Sequence, residues 1–182
     1  MSTTTTVATK WAIDPTHSEV SFKVKHLVIS TVTGYFREFE GGIEQTDEGF
    51  EGANVHFSAQ IASIDTNQAQ RDAHLKSDDF FNAEAYPELT FHSTSFTKVG
   101  DKKYQAIGDL TIRDVTKQVE LDVDFLGEAA DPYGQHKAGF EINGIINRKD
   151  FNLKWSAVTE AGSVVVSDEV RLHLNVQVVK QA

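Results

Sequence analysis

The chain has 182 residues, of which 40% are hydrophobic and 24% are charged, a composition typical of one globular domain rather than a disordered or fibrous chain. Its 17 basic and 27 acidic residues give a formal net charge of −10, which predicts repulsion from nucleic acids and from anionic membrane surfaces. Cysteine is absent, which excludes disulfides and thiolate chemistry.

The N-terminal residues 1–10 are predicted to be a flexible tail ahead of a single domain over residues 11–182. The tail has neither the positively charged start nor the apolar run of a secretory signal. No apolar run in the chain approaches the ~20 residues needed to cross a bilayer. This pattern favours a cytoplasmic protein without stable membrane insertion, or a periplasmic protein whose leader has been removed.

Apolar and polar residues alternate with a period of two along most of the chain, which predicts about eight antiparallel strands. The predicted strands cover residues 20–25, 32–44, 55–61, 89–98, 103–113, 119–125, 138–147 and 169–179. Short turns join them, and eight strands with one apolar face each favour an all-β antiparallel barrel, because closure removes exposed edges. A barrel of this size is either filled by its own side chains or holds one small ligand.

The segment 66–82 breaks the alternation and carries helix-forming residues. It predicts a short helix over 67–76 with Thr66 or Asn67 as the N-cap, followed by a second turn at Ser77–Phe81. Another turn is predicted at residues 150–153. Two adjacent rings, Phe80 and Phe81, cannot face the same way on a helix, so one is expected to plug the barrel while the other packs outside.

The chain lacks the Gly-x-Ser-x-Gly, P-loop, Gly-x-Gly-x-x-Gly and His-Glu-x-x-His signatures, so neither a cofactor nor a metal is expected. His26 continues the apolar register of its strand and is interpreted as a hydrogen-bonded interior histidine or as a polar contact to a ligand. Arg71 and Arg148 could each hold an anionic head group at a barrel mouth, or could form ordinary surface or structural ion pairs.

Aromatic residues on the inward register are the strongest signal in the chain. They could line a cavity for a flat or unsaturated chain or fill a dry core, and their register alone does not distinguish the two. They are Phe22, Phe36, Phe57, Phe91, Phe125, Phe140 and Trp155.

A set of motifs spread over residues 11–179 resembles the YceI-like family. The motifs include Trp11-x-Ile13-Asp14-Pro15-x-His17-Ser18, Gly34-x-Phe36, Arg71-Asp72-x-His74-Leu75, Asp79-Phe80-Phe81, Tyr86-Pro87-x-Leu89-x-Phe91, Gly108-x-Leu110 and Asn147-Arg148-x-Asp150-Phe151. The resemblance implies a lipocalin-like eight-stranded barrel that binds a long lipophilic amphiphile in its interior. It implies a polyisoprenoid, such as a polyprenyl phosphate or quinone, which the protein would carry or store without catalysis.

The expected ligand-binding residues follow from the register and this resemblance: Phe22, Val24, His26, Phe36, Phe57, Arg71, Phe80, Phe81, Phe91, Phe125, Phe140, Arg148 and Trp155. Two other hypotheses remain open at this point. One is an enzyme that acts on a bound lipophile with His26 as the acid–base group. The other is a packed barrel that serves as an interaction module. A homodimer is compatible with all three.

Overall fold

The computed structural model describes residues 9–27, 29–45, 49–155 and 166–181. Within these ranges lie eleven strands, three 3-10 turns and one α-helix, α1 (Ala69–Lys76). The 3-10 turns are Pro15–His17, Ile61–Ser63 and Arg148–Phe151. The strands are β1 (Thr9–Ile13), β2 (Glu19–His26), β3 (Ser30–Phe36), β4 (Phe39–Gln45), β5 (Asn54–Gln60), β6 (Ile64–Asp65), β7 (Glu88–Gly100), β8 (Lys103–Ile112), β9 (Val115–Ala130), β10 (His136–Asn147) and β11 (Val166–Lys180).

Eight of these strands close into an antiparallel barrel, which confirms the predicted fold class. They are hydrogen-bonded in the order β1-β4-β5-β7-β8-β9-β10-β11, and β11 pairs again with β1. The long strand β11 also pairs with β2 between Val166 and Asn175, and β2, β3 and β6 extend the wall beyond the ring. The end of the barrel that carries this extension also carries α1.

The predicted strand over 32–44 is wrong in one respect, because the structure divides it into β3 and β4. Phe36 and Phe39 are three residues apart and both pack against the core, so the alternation changes phase at Arg37-Glu38 and the strand breaks there.

A similar break separates β1 from β2, where Asp14 caps the turn Pro15–His17. The hydroxyl of Thr16 and the ring of His17 hold the pKa of Asp14 at about 2. The predicted tail over 1–10 ends in β1, where Thr9 and Lys10 pair with β4.

The predicted helix begins later than expected, and its N-cap is neither Thr66 nor Asn67. The N-cap residue is Gln68, whose side chain makes no capping bond. Thr66 instead donates its backbone N–H and its hydroxyl to Asp72, and Asn67 adopts a left-handed φ of 65°. Thr66 therefore contacts the helix by donating to the Asp72 side chain, and it does not act as the N-cap residue.

An aromatic cluster seals the barrel at the end opposite α1. Phe140 packs edge-on against Phe50 with ring centroids 5.0 Å apart, and both rings contact Phe125. Trp11 also packs against Phe50, with ring centroids 5.8 Å apart. We call these four residues the aromatic plug, and because Phe50 and Phe140 are almost wholly buried, this end of the barrel is closed.

One seam of the barrel wall lacks a complete backbone ladder. The pairing of β9 with β10 ends at Asp122 and Asn143, although β9 begins at Val115 and β10 continues to Asn147, each on its other neighbour. A surface groove of about 640 Å³ runs along this seam. The side chain of Leu121 occupies the space between the two strands beside Gly144. Any residue with a Cβ at position 144 would clash with it, because that Cβ would lie 2.5 Å from Cδ2 of Leu121.

No helix in the described part of the chain is long and apolar enough to cross a membrane.

Candidate ligand-binding cavities

Two adjoining cavities occupy the barrel between the aromatic plug and α1. The inner cavity, of about 140 Å³, lies in the middle of the barrel, and the outer cavity, of about 240 Å³, lies beneath α1. Their linings are almost entirely apolar, and they share the residues Phe22, Phe36, Leu89, Ile112, Ile146 and Leu172. The interior is therefore hollow, which argues against the hypothesis of a fully packed barrel.

Two glycines on the inner face make room for the aromatic lining. A Cβ on Gly34 would lie 2.2 Å from Cζ of Phe22, its partner on the neighbouring strand. A Cβ on Gly108 would lie 2.6 Å from Cζ of Phe91. Both rings can therefore lie flat against the wall instead of projecting across the cavity, which keeps the interior open.

Arg71 brings a positive charge from α1 to the outer cavity. Its Nε donates to the hydroxyl of Thr66 at 2.8 Å and its Nη2 to the carbonyl of Thr66 at 2.6 Å. These two bonds fix the guanidinium in place, while Nη1 has no hydrogen-bond partner among the described residues. The guanidinium is thus oriented on a residue that lines the outer cavity, and the described residues leave its Nη1 donors unused.

Arg148 also lines the outer cavity, but its donors are largely used by the protein itself. Its side chain is 3% exposed, and its Nε donates to the carbonyl of Ser167 at 2.9 Å. Its Nη1 donates to the carbonyls of Leu153 and Trp155, and its Nη2 lies 3.6 Å from a carboxylate oxygen of Asp168. Burial lowers the pKa of Arg148, and the Asp168 carboxylate opposes that shift. Arg148 therefore ties residues 153–155 to the start of β11.

Both rings of the Phe80–Phe81 pair face the outer cavity, so the expectation that one packs outside is wrong. Residues 78–81 form a turn rather than a helix, and in a turn consecutive side chains can face the same way. Phe81 packs edge-on against Phe36, and Phe80 packs against Trp155 with ring centroids 5.4 Å apart. Arg113 holds the turn by donating to the carbonyl of Phe80 at 2.8 Å.

The histidines at this end occupy different environments. The His74 ring packs edge-on against Phe80 and Trp155 and bonds Asp79 through Nε2 at 2.8 Å. His26 lines the outer cavity, and no described side chain hydrogen-bonds its ring to orient it as an acid–base group. Among the residues that the structure describes, no group of three or more histidine or acidic side chains could hold a metal ion.

Twelve of the thirteen expected ligand-binding residues line one or both cavities. Phe125 lines neither cavity, because it packs into the aromatic plug. Phe22 and Phe36 line both cavities. The inner cavity also contains Phe57, Phe91 and Phe140. The outer cavity also contains Val24, His26, Arg71, Phe80, Phe81, Arg148 and Trp155.

Several lining residues of the outer cavity were missed by the sequence reasoning. Val32 could have been found, because it pairs with Val24 across the β2–β3 ladder and shares its inward face. Val170 and Leu172 could also have been found, because they alternate along the predicted last strand. Other missed residues lie outside regular alternation or at strand ends, where a period of two gives no direction; they include His74, Leu75, Leu89, Ile112 and Leu153.

The closed antiparallel barrel with a hollow apolar interior defines a protein of the lipocalin-like class. The sequence pattern of the YceI-like domain matches residues 11–178, and the chain belongs to this family. It is 40% identical to Protein YceI of Escherichia coli O157:H7 over 177 residues, which is 96% of this chain and 89% of the relative.

Two solved structures share the fold at lower sequence identity. BcnA of Burkholderia cenocepacia superimposes with a TM-score of 0.79 and 23% identity, over 91% of this chain and 98% of the other. A polyisoprenoid binding domain from Saccharophagus degradans superimposes with a TM-score of 0.66 and 17% identity, over 94% and 98% of the two chains.

Proposed function

We propose that this protein binds one lipophilic chain in the two cavities, with the polar end of the guest at the outer cavity beside Arg71. The observation that carries the proposal is the pair of adjoining apolar cavities, closed at one end by the aromatic plug. The guest class is a polyisoprenoid or a similar amphiphile, and its task is carriage or storage without catalysis. The fold shared with a polyisoprenoid binding domain supports this class.

The energetics favour a guest held mainly by its tail. Each methylene group that leaves water contributes roughly 0.8 kcal/mol, so a chain of several isoprenoid units needs few polar contacts to bind. An engineered cavity of about 150 Å³ holds one benzene ring. The cavities, of about 140 and 240 Å³, match a linear guest rather than a bulky one.

Uptake of geranylgeraniol, a neutral prenol, tests the proposal directly. The purified protein should bind one geranylgeraniol molecule by native mass spectrometry, and Val32→Trp should abolish uptake because the larger side chain fills the outer cavity. Thr31→Trp is the matched control, because Thr31 is exposed on the outer face of the same strand. Absence of prenol binding by the unmodified protein, together with no lipid in an organic extract, would contradict the proposed function.

The polar end of the guest is assigned to Arg71 rather than Arg148, because Nη1 of Arg71 has no partner among the described residues while Arg148 is enclosed by protein acceptors. Arg71→Ala should weaken binding of geranylgeranyl phosphate about tenfold, the magnitude of a charge-assisted hydrogen bond. Binding of geranylgeraniol should be unchanged. Arg37→Ala, which removes an exposed arginine paired with Asp65, is the control in the same titration calorimetry. Equal losses for the alcohol and the phosphate would exclude this role.

A further inference from the structure

The turn between β2 and β3 has a composition that turns rarely have. Tight turns favour Gly, Asn, Asp and Pro, but the described residues of this turn are Leu27 and Ile29. Leu27 adopts a left-handed φ of 53°, a strained conformation for a residue with a branched side chain. Ile29 is 86% exposed. We call Leu27 and Ile29 the hairpin tip.

The turn between β9 and β10, at the closed end of the barrel, shows the usual chemistry. It reads Asp131-Pro132-Tyr133-Gly134, and its glycine has a φ of 83°. The tight turns after β7 and β8 also place a non-glycine residue in the left-handed region, Lys102 and Arg113, but both of these residues are polar. The apolar composition of the hairpin tip, and not its backbone conformation, therefore sets it apart from the other hairpins of this barrel. Exposed apolar surface that the fold does not need is typical of a contact site.

The hairpin tip lies next to the outer cavity. Val24, His26 and Val32, which form the hairpin directly before and after the tip, line that cavity. Any surface that binds the hairpin tip would therefore also lie close to the outer cavity.

The charge of the hairpin is opposite to the charge of the whole chain. The segment from Lys23 to Tyr35 contains two positively charged residues, Lys23 and Lys25, and no acidic residue. Both lysines are exposed. Ser30 and Thr31, also exposed, add hydroxyl groups beside the tip. The net charge of −10 predicts repulsion from anionic membranes, but screening restricts such forces to about 8 Å at physiological salt. The neighbouring start of β11 carries Asp168 and Glu169, but Asp168 pairs with Lys149 and Glu169 pairs with Arg171. Lys23 and Lys25 have no ion-pair partner among the described residues, so they set the local charge beside the tip.

We propose that the hairpin tip docks this protein on an anionic lipid bilayer. Ile29 enters the boundary between the head groups and the acyl chains, while Lys23 and Lys25 contact lipid phosphates. The α1 end of the barrel then faces the membrane. Docking of this kind is peripheral, and it does not depend on a guest in the cavities.

Co-sedimentation with vesicles tests the proposal. The protein should bind vesicles of phosphatidylglycerol mixed with phosphatidylcholine, and Ile29→Ser should reduce that binding about tenfold, the factor expected from burying one isoleucine side chain. Tyr133→Ser is the matched control, because Tyr133 is 90% exposed at the opposite end of the barrel. Lys23→Gln should reduce binding about fivefold, and this reduction should disappear on vesicles of phosphatidylcholine alone.

Three outcomes would overturn the docking proposal: no binding of the unmodified protein to phosphatidylglycerol vesicles, equal losses for Ile29→Ser and Tyr133→Ser, or an Ile29-dependent dimer that binds no vesicles. The last outcome would mean that a second copy of the chain covers the tip. Geranylgeraniol uptake in vesicle-free buffer separates this proposal from the proposed function. Ile29→Ser should leave it unchanged, because Ile29 lines neither cavity.

Discussion

Replacing Arg148 with methionine should lower the free energy of unfolding by about 3–5 kcal/mol. The substitution removes the donors that satisfy the carbonyls of Leu153, Trp155 and Ser167. Loss of one partner from a buried polar network leaves the remaining groups unpaired, and the typical cost is of that size. Urea unfolding followed by circular dichroism measures the change.

Arg171→Met is the control for this substitution. Arg171 is 70% exposed, and its ion-pair partner among the described residues is the exposed Glu169, so its removal should change stability by less than about 0.5 kcal/mol. Arg148→Lys should fall between the two, because lysine keeps the charge but cannot reproduce the forked contacts. If Arg148→Met costs no more than Arg171→Met, Arg148 does not hold the start of β11 in place.

Truncating Phe140 to alanine should destabilise the protein by about 3–5 kcal/mol, the usual range for a buried phenylalanine. Phe140 is 1% exposed and is the ring on which Phe50 and Phe125 both pack. Its loss leaves a hole between the inner cavity and the aromatic plug. Differential scanning calorimetry measures the effect as a lower unfolding temperature.

Leu126→Ala is the matched control for Phe140→Ala. The β9–β10 register shifts between Gly139 and Phe140, which leaves Leu126 without a partner in the ladder and 59% exposed. A change below about 0.5 kcal/mol is expected there. Similar losses for the two variants would show that the aromatic plug does not stabilise the closed end.

The alternation of apolar and polar residues predicted the long strands of this barrel, because one face of each strand is apolar and the other is exposed to solvent. It failed at Arg37-Glu38, where the phase changes within one apolar segment. It also placed Phe125 in the binding site, since an inward register does not say whether a ring meets a cavity or another ring. Phe125 meets Phe50, and no periodic pattern marks Phe50, which reaches the interior from the turn between Gly49 and Gly52.

The polar parts of the site were harder to predict than the apolar parts. Arg71 and Arg148 have the same chemistry in the sequence, and only their partners differ. Arg148 bonds the nearby carbonyls of Leu153 and Trp155 and also the distant carbonyl of Ser167, whereas Arg71 bonds the nearby Thr66. Contacts between distant segments do not follow from a local pattern, so the sequence could name both arginines but not distinguish their roles.

The incomplete ladder between β9 and β10 has a consequence for what the barrel can hold. Backbone pairing across the seam stops at Asp122 and Asn143. Among the described residues, only side chains span it beyond that point, such as Leu121 and an ion pair between Lys117 and Asp150 with a nitrogen–oxygen distance of 3.8 Å. Parting strands there breaks fewer hydrogen bonds than at any fully paired wall, so local opening requires less free energy. We therefore expect the wall to open more readily along this seam than along its fully paired ladders, which would let the barrel admit a wider guest without unfolding.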